Sequence, residues 1–422
     1  MTKPNPPSLL LRVLMVCVFT AGQFTVSVFA EDFRRISIED YRDKMAGAWL
    51  GQMAGVGWGF PTEFEYLSAI IPEDKVPAWT PETINQFDQD DLYVEMTFMK
   101  SLEDYGFDVT SRQAGIDFAN SEYQLWHANG HARGNLRQGI APPDSGHPEF
   151  TKHADDIDYQ IEADFAGLIG PGMPNLGIEM GEKFGCIMNY GDGIYGGQFM
   201  SGMYAEAFIE RDIQKIIEAG LRCIPAESQY AECIRDTVAW HKEHPDDWQK
   251  VWRLLQAKYH ESPEGRRFVC KASEKGNIDA KLNGAYAVLG LLYGKGDLDQ
   301  TIIISMRCGQ DSDCNPASAA GVLATTMGRA KLPEKFTSAL QTDTPFKYTA
   351  YTFTTLLEAC EKLARQAVLR SGGLIEKDDA GREFLLIPVQ TPKPSKFVQS
   401  WKAEPSTGSR YTDEERAKIT AK

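Results

Sequence analysis

Apolar residues recur at intervals of three and four along most of this chain. Residues 92, 96, 99 and 102 follow this spacing and predict a helix over residues 90–105. The same pattern predicts further helices over residues 41–51, 111–123, 156–168, 200–220, 229–240, 248–259, 283–292, 298–307, 317–328 and 352–369. Alternation typical of a strand is clearest at residues 384–389. The pattern therefore predicts an all-α fold.

The predicted helices are joined by connections rich in Gly, Pro and Asn, notably residues 130–148, 170–177 and 189–197. Long connections on a helical body often form the binding surface. We find no repeat and no clean linker, so one large helical domain over residues 31–390, with a central cleft, is simpler than two domains. Residues 391–422 carry several Pro, Ser and Lys residues and are predicted to be a poorly ordered tail.

Residues 1–30 have the pattern of a secretory signal peptide. Lys3 and Arg12 precede an apolar run, and a small residue, Ala30, ends the segment. A membrane anchor is the alternative, but Gln23 and Thr25 interrupt the run before about 20 apolar residues accumulate. We expect cleavage after Ala30 and a secreted or periplasmic mature protein without a membrane segment.

The net charge of −15 argues against unaided binding to nucleic acid or to an anionic membrane. Eight cysteines are present, and Cys17 lies in the predicted signal peptide. The other seven show no CxxC spacing, so a zinc site or a dense disulfide scaffold is not expected. One or two disulfides remain open for an exported protein. The oligomeric state is not indicated by the sequence.

Two acidic clusters begin predicted helices far apart in the chain: Gln89-Asp90-Asp91, and Asp311-Ser312-Asp313 before Cys314. An Asp at a helix start is commonly a cap that satisfies unpaired amides. Two such clusters in one chain favour a shared site for a hard cation such as Mg²⁺, Mn²⁺ or Ca²⁺. An EF-hand is excluded, because Pro316 and Val322 occupy positions that need Gly and Glu.

Three segments, in order, carry a resemblance to a known family. They are Gly51…Gly55…Pro61-Thr62-Glu63, then Gln89-Asp90-Asp91-Leu92, then Gly309-Gln310-Asp311-Ser312-Asp313-Cys314. Over residues 41–328 the chain resembles the ADP-ribosylglycohydrolase family. The resemblance implies an all-α fold and two divalent cations, Mg²⁺ or Mn²⁺. It also implies hydrolysis of the bond at the anomeric carbon of an ADP-ribosyl group.

The resemblance also implies roles for individual residues. Glu63 matches the family's catalytic glutamate, and the metal ligands would be Asp90, Asp91, Asp311 and Asp313. The family usually places Thr where this chain has Gln89, Leu92 and Cys314. Gln89 and Cys314 still offer a ligand atom, whereas Leu92 offers none, so one metal site is expected to be weakened.

Two other polar segments are candidates for substrate binding. Asp192, Gly193, Tyr195 and Gly196 lie in a Gly-rich stretch that would offer amides to a phosphate, with a plain turn as the alternative. Asp158 and Glu162 share a helical face that would line the cleft, with a solvated face as the alternative.

The sequence leaves three functions open. The first is a secreted, metal-dependent hydrolase acting on a small-molecule or ADP-ribosylated substrate. The second is an exported hydrolase of another glycoside or nucleoside-like compound on the same fold. The third is a non-catalytic protein that binds sugar or metal. Retention of Glu63 with all four aspartates favours the enzymes, since close carboxylates without a cation repel one another.

Overall fold

Helices make up most of the computed structural model, which describes residues 33–265, 267 and 278–420. The predicted signal peptide and the cleavage position at Ala30 lie outside the described residues. In chain order the α-helices are α1 Ile38–Gly59, α2 Asp90–Tyr105, α3 Ser111–Ala119, α4 His127–Arg137, α5 Asp158–Ile161, α6 Asp164–Leu168, α7 Pro174–Met180, α8 Cys186–Met188, α9 Asp192–Ala207, α10 Ile213–Leu221, α11 Gln229–Glu243, α12 Trp248–Leu255, α13 Ala280–Tyr293, α14 Leu298–Arg307, α15 Cys314–Met327, α16 Phe353–Arg370 and α17 Asp413–Arg416.

Short 3-10 and π-helical segments complete the helical part. The π-helices are Gly181–Gly185, which continues α7, and Gln256–Glu261, which continues α12. The 3-10 turns are Phe60–Thr62, Glu73–Lys75, Pro81–Ile84, Asp144–Gly146, Arg329–Lys331, Glu334–Phe336 and Ser400–Lys402. The helical fold predicted from the hydrophobic spacing is thus confirmed, and α2 and α14 match the predicted bounds at both ends.

A small antiparallel sheet lies beside the helices. Its strands are β1 Phe33–Ser37, β2 Leu374–Lys377 and β3 Glu383–Pro388, in the order β1-β3-β2. Ile36 lies opposite Leu385, and Leu374 lies opposite Leu386. The predicted strand at residues 384–389 corresponds to β3 within one residue. The sheet joins the start of the described chain to the region that follows α16.

Helix α1 extends through the Gly-rich stretch that the sequence predicted as a segment following the helix. Gly51, Gly55 and Gly59 recur every four residues and therefore share one helix face. A Cβ at Gly51 would lie 2.5 Å from the Ala320 carbonyl oxygen, and one at Gly55 would lie 2.4 Å from the Ala317 amide nitrogen. The glycines thus allow the backbones of α1 and α15 to meet, which other residues would prevent.

Three connections predicted as loops contain parts of helices instead: most of α4 in residues 130–148, the start of α7 in 170–177, and the start of α9 in 189–197. Helix α9 shows the reason. A Cβ at Gly193 would lie 2.5 Å from Asn189 Nδ2, and one at Gly196 would lie 2.7 Å from Gln160 Oε1. These glycines allow close packing between segments. A closely packed helix of this kind has the same Gly-rich composition as a flexible loop, so the sequence does not distinguish the two.

Residues 391–420 pack on the body, contrary to the predicted poorly ordered tail. The Tyr195 hydroxyl donates to the Lys396 carbonyl over 2.7 Å. The buried Asp144 carboxylate accepts from the Thr407 amide and the Ser409 amide, at 2.9 and 2.8 Å. Specific hydrogen bonds to buried partners order a segment that has few apolar residues of its own.

The state of the cysteines and the character of the helices relate to the expected disulfides and membrane segments. The described cysteines are Cys186, Cys223, Cys233, Cys308, Cys314 and Cys360, and all are free thiols. Among the helices that the structure describes, none has the length and apolar character needed to cross a bilayer.

Candidate active site

The loop before α15 places two carboxylates at the centre of the fold. Gly309 and Gln310 both have positive φ, +77° and +60°, which turns the chain sharply after α14. The Phe64 amide donates to the Gln310 carbonyl over 3.0 Å, and the Gln310 amide donates to the Tyr66 carbonyl over 3.1 Å. These bonds hold the segment after α1 against the loop that carries Asp311 and Asp313.

The second pair of carboxylates occupies the first turn of α2. Asp90 Oδ1 accepts the Asp91 amide over 3.2 Å, as a residue at a helix start commonly does. Gln89 is the N-cap residue, but its side chain makes no capping bond and lines the cavity described below. Leu92 is buried, so it contributes to the core and offers no ligand atom.

The two pairs meet at Cys314. Ligand atoms of Asp90, Asp91 and Cys314 lie within 4.8 Å of one another, and so do those of Asp311, Asp313 and Cys314. The structure therefore brings all four predicted aspartates together, although more than 200 residues separate the pairs in the sequence. Helix caps alone would not require this convergence.

The residues of this cluster fit a hard divalent cation. Asp91 Oδ1 and Asp311 Oδ1 are buried and have no hydrogen-bond partner. Burial raises the pKa of Asp91, and the neighbouring carboxylates of Asp90 and Asp313 raise it further. Such unpaired buried acceptors are costly unless a cation neutralises them. Carboxylate oxygens suit Mg²⁺ or Mn²⁺, whereas the Cys314 thiol is a soft neighbour.

Glu63 follows the end of α1 and faces the same cluster. The Thr62 hydroxyl lies 2.9 Å from the Ser312 hydroxyl and donates to the Gly59 carbonyl over 2.9 Å. These bonds hold the residue before Glu63 against the Asp311–Asp313 loop. Burial raises the pKa of Glu63 to about 8, with contributions from Asp313 and Asp90. Its carboxyl group is therefore suited to proton transfer beside the cluster.

These side chains lie at a cavity of about 500 Å³, here called the catalytic cavity, a volume typical of small-molecule sites. Its polar lining includes Glu63, Asp88, Gln89, Asp90, Asp158, Asp311 and Asp313. Its apolar lining includes the aromatic side chains Phe60, Phe64, Trp126 and Tyr348, which are 36–54% exposed. The cavity thus has an acidic part and an aromatic part.

Asp158 and Glu162 are buried rather than solvated. The Asn129 amide donates to Asp158 Oδ1 over 2.8 Å, and the Asn129 side chain donates to Glu162 Oε1. Asp158 lines the catalytic cavity, where burial raises its pKa to about 7. Of this predicted pair, the structure places Asp158 at the cavity, whereas Glu162 lies behind the cavity wall and binds the Asn129 side chain.

The predicted phosphate-binding stretch lies elsewhere. None of Asp192, Gly193, Tyr195 and Gly196 is among the described residues lining the catalytic cavity. Asp192 is buried and accepts the Tyr230 amide over 3.4 Å, while the Tyr195 hydroxyl binds the segment after β3. Gly193 and Gly196 are packed inside α9. The structure thus places this stretch away from the catalytic cavity, and its glycines serve helix packing.

Several cavity residues carried no clear signal in the sequence. Phe64 directly follows Glu63, and this adjacency was its only signal in the sequence. Its backbone has a φ of +52°, and its side chain lines the catalytic cavity. Trp126 and Tyr348 come from segments far from every motif. Asn129 was likewise missed, because its role depends on two carboxylates that only the folded chain brings to it.

Comparison with known proteins gives a family match and a similar solved structure. Residues 37–372 match the family described as ADP-ribosylglycohydrolase. A solved structure titled "ADP-ribosylglycohydrolase-related protein complex" is similar, with 15% sequence identity, a TM-score of 0.49, and coverage of 78% of this chain and 97% of that chain. No curated protein gives a significant match. The family match spans most of the chain and includes all three motifs, and the protein therefore belongs to the ADP-ribosylglycohydrolase family.

Proposed function

We propose that this protein is a metal-dependent hydrolase that cleaves a glycosidic bond at the anomeric carbon of ribose, with ADP-ribosyl groups as the default substrate. Membership of the family supports a glycohydrolase. The observation that carries the finer proposal is the position of Glu63, which lines one cavity together with Asp90, Asp311 and Asp313. The buried Asp91 lies beside them. This arrangement offers both a proton acceptor and cation ligands to a single bound sugar.

The four aspartates would hold two divalent cations, Mg²⁺ or Mn²⁺, with Gln89 and Cys314 beside them. When bound, such ions polarise ribose oxygens and water. The convergence of unpaired buried oxygens supports this assignment. Leu92 occupies a position where the resemblance predicts a hydroxyl ligand, so we expect one cation to bind more weakly than the other.

Glu63 would act on the attacking water. It accepts a proton from the water as the water oxygen bonds to the anomeric carbon, and the bond to the leaving group breaks with its electron pair going to the leaving atom. The leaving atom takes up a proton from solvent, and Glu63 then releases its proton to solvent. Asp158 would accept a hydrogen bond from a substrate hydroxyl, because its Oδ2 has no partner and the residue lines the cavity. The exposed aromatic rim would pack on the rest of the substrate.

The site would operate outside the cytoplasm, in a secreted or periplasmic protein released by cleavage after Ala30. The basic and apolar pattern of residues 1–30 supports this placement. The partner would be a small-molecule or ADP-ribosylated substrate. The excess of acidic residues makes nucleic acid an unsuitable ligand.

The test is product analysis with the mature protein, beginning at Glu31. A panel of ADP-ribosyl-arginine, ADP-ribosyl-serine peptide, O-acetyl-ADP-ribose, nucleosides and simple glycosides is incubated with Mg²⁺, Mn²⁺ or EDTA, and products are identified by mass spectrometry. We expect release of free ADP-ribose that EDTA abolishes. Cleavage of nucleosides or glycosides alone would instead establish a hydrolase of another glycoside or nucleoside-like compound. The replacement of the family's Thr residues by Gln89, Leu92 and Cys314 also favours that alternative.

Metal binding is measured separately from turnover. Millimolar Mg²⁺ or Mn²⁺ should raise the melting temperature, because a ligand that binds the folded state alone stabilises it. Asp311→Ala should abolish that rise. The matched control is Asp108→Ala, which removes a carboxylate that is 99% exposed and should leave the rise intact. A melting temperature that no divalent cation changes would contradict the metal assignment.

A further inference from the structure

A second cavity, of about 430 Å³, lies beside the catalytic cavity. It is called the outer cavity here and is formed by α2, the end of α3 with the turn that follows it, and the loop before α16. Its polar lining includes hydroxyl groups of Thr97, Ser101, Ser121, Tyr123, Thr349 and Tyr351. None of the three motifs extends into it, and its volume suits one small polar ligand.

The two cavities share structural elements. Helix α2 contributes Asp90 and Tyr93 to the catalytic cavity and Thr97 to the outer cavity. Asp90 and Thr97 are seven residues apart on this helix, which is about 10 Å along its axis. Tyr348 lines both cavities. A substrate bound at the aspartates therefore needs only one further sugar-sized group to reach the outer cavity.

Tyr348 is held in place at the boundary. Its ring meets the rings of Tyr93 and Tyr123 edge-on, at centroid distances of 5.7 and 6.0 Å, and these two rings stack on each other at 4.5 Å. Its φ of +62° is unusual for a residue with a side chain. The preceding Lys347 donates to Asp88 over 2.6 Å and so fixes the loop to the segment before α2.

The outer cavity has more acidic than basic lining residues, with Asp104, Asp117 and Glu122 against Lys100. Lys100 pairs with Asp104. Asp117 accepts from the Ser101 hydroxyl over 2.6 Å and from the Gln113 side chain over 3.0 Å. Among the described lining residues, this leaves the exposed Glu122 as the carboxylate without such a bond. An anion would meet excess negative charge, and a cation would find no buried carboxylate dedicated to it.

We propose that the outer cavity is the subsite for the leaving group of the hydrolysed bond, and that it accepts an uncharged, polyhydroxylated group such as a sugar. This assignment rests on the proposed function, since it places the scissile bond between the two cavities. The clustered hydroxyl oxygens can accept hydrogen bonds from sugar hydroxyls. Their own protons are donated to acceptors of the protein, at Thr97, Ser101, Ser121, Thr349 and Tyr351. The ring of Tyr348 adds an apolar surface for the C–H groups of the sugar.

The test narrows the outer cavity without disturbing the aspartates. Ala350 lines this cavity and is exposed, so Ala350→Trp adds bulk there without entering the core. Ala226→Trp is the control, because Ala226 is exposed and lines neither cavity. Binding of free D-glucose and D-xylose to the metal-loaded mature protein is measured by saturation-transfer NMR. We expect binding that Ala350→Trp abolishes and that Ala226→Trp retains.

Hydrolysis rates provide a second measurement, which distinguishes failure of the subsite proposal from failure of the proposed function. Ribosyl fluoride has the smallest leaving group, whereas a ribosyl-glucose disaccharide must use the subsite. Ala350→Trp should lower kcat/KM for the disaccharide about tenfold or more and leave the fluoride nearly unchanged. Loss of sugar binding in Ala350→Trp supports the subsite, whether or not the protein hydrolyses either substrate. Absence of hydrolysis of both substrates by the unmodified protein counts against the proposed function alone. Unchanged sugar binding in Ala350→Trp, absence of sugar binding, or equal loss on both substrates overturns the subsite.

Discussion

Position, rather than residue type, distinguishes Glu63 from the other glutamates near it. Thr62 is buried and bonded to Ser312, so Glu63 is held at the catalytic cavity, whereas Glu65 is exposed only two residues later. The same contrast applies to Asp158 and Glu162, since both bind Asn129 but only Asp158 lines the cavity. At the scale of single residues, function follows from which short hydrogen bonds fix the neighbouring backbone.

Glu63→Gln should lower kcat by about 10²- to 10⁴-fold, the usual contribution of a general base, because an amide cannot accept the proton. The metal-dependent rise in melting temperature should persist, since the four aspartates remain. The measurement is steady-state kinetics on the substrate found in the product panel. Glu65→Gln is the matched control and should retain full activity. Equal activity of the two variants would remove Glu63 from the catalytic role.

At the scale of elements, the contact between α1 and α15 positions the site. The glycine face of α1 meets the small residues of α15, and a Cβ at Gly59 would lie 2.0 Å from the Ser312 carbonyl oxygen. The end of α1 therefore touches the loop that carries Asp311 and Asp313. A wider separation of the two helices would move Glu63 away from the cluster.

Gly55→Ala should destabilise the protein by about 1–3 kcal/mol, since the added methyl group would overlap the backbone of Ala317. Urea unfolding measures this change. Gly134→Ala in α4 is the control, because a Cβ there meets nothing within 4 Å. Alanine should stabilise that uncrowded helix position by up to about 1 kcal/mol. Destabilisation of similar size in both variants would indicate a general helix effect instead of close packing at Gly55.

For the whole molecule, the C-terminal segment binds parts of the chain that are distant in sequence. Arg112 forms an ion pair with Glu415, and the Tyr411 hydroxyl donates to the Arg112 carbonyl over 3.0 Å. Asp144 receives hydrogen bonds from Thr407 and Ser409. The segment thereby fixes the turn after α4 and helix α3, which lines the outer cavity through Asp117.

Asp144→Asn should lower the free energy of unfolding at neutral pH by about 1–3 kcal/mol, the range for hydrogen bonds to a charged group. Burial raises the pKa of Asp144, but hydrogen bonds from Thr407, Ser409 and Arg410 outweigh it and hold the pKa below its usual value. Because the pKa is depressed on folding, the stabilisation is complete above the unfolded value, about 3.9, and is lost as the pH falls below it.

Thermal unfolding between about pH 7 and pH 3 measures this dependence, within the range where Asp titrates. The unmodified protein should lose more stability than Asp144→Asn over the acidic part of the range. Asp108→Asn, at a carboxylate that is almost fully exposed, is the control and should follow the unmodified protein. Parallel curves for Asp144→Asn and the unmodified protein would show that Asp144 does not hold the segment.

The sequence by itself determined the helical fold and the bounds of α2 and α14, and it indicated the four aspartates and Glu63 as candidate site residues. Helical spacing and short motifs are local properties, so they can be read from neighbouring residues. Only the tertiary structure decided that the glycines of α1 and α9 are packing surfaces, because composition does not distinguish a close contact from a turn. It also decided that Asp192 lies away from the cavity, that Trp126 and Tyr348 line it, and that residues 391–420 are bound to the body. Each of these depends on contacts between segments far apart in the chain, which no local pattern encodes.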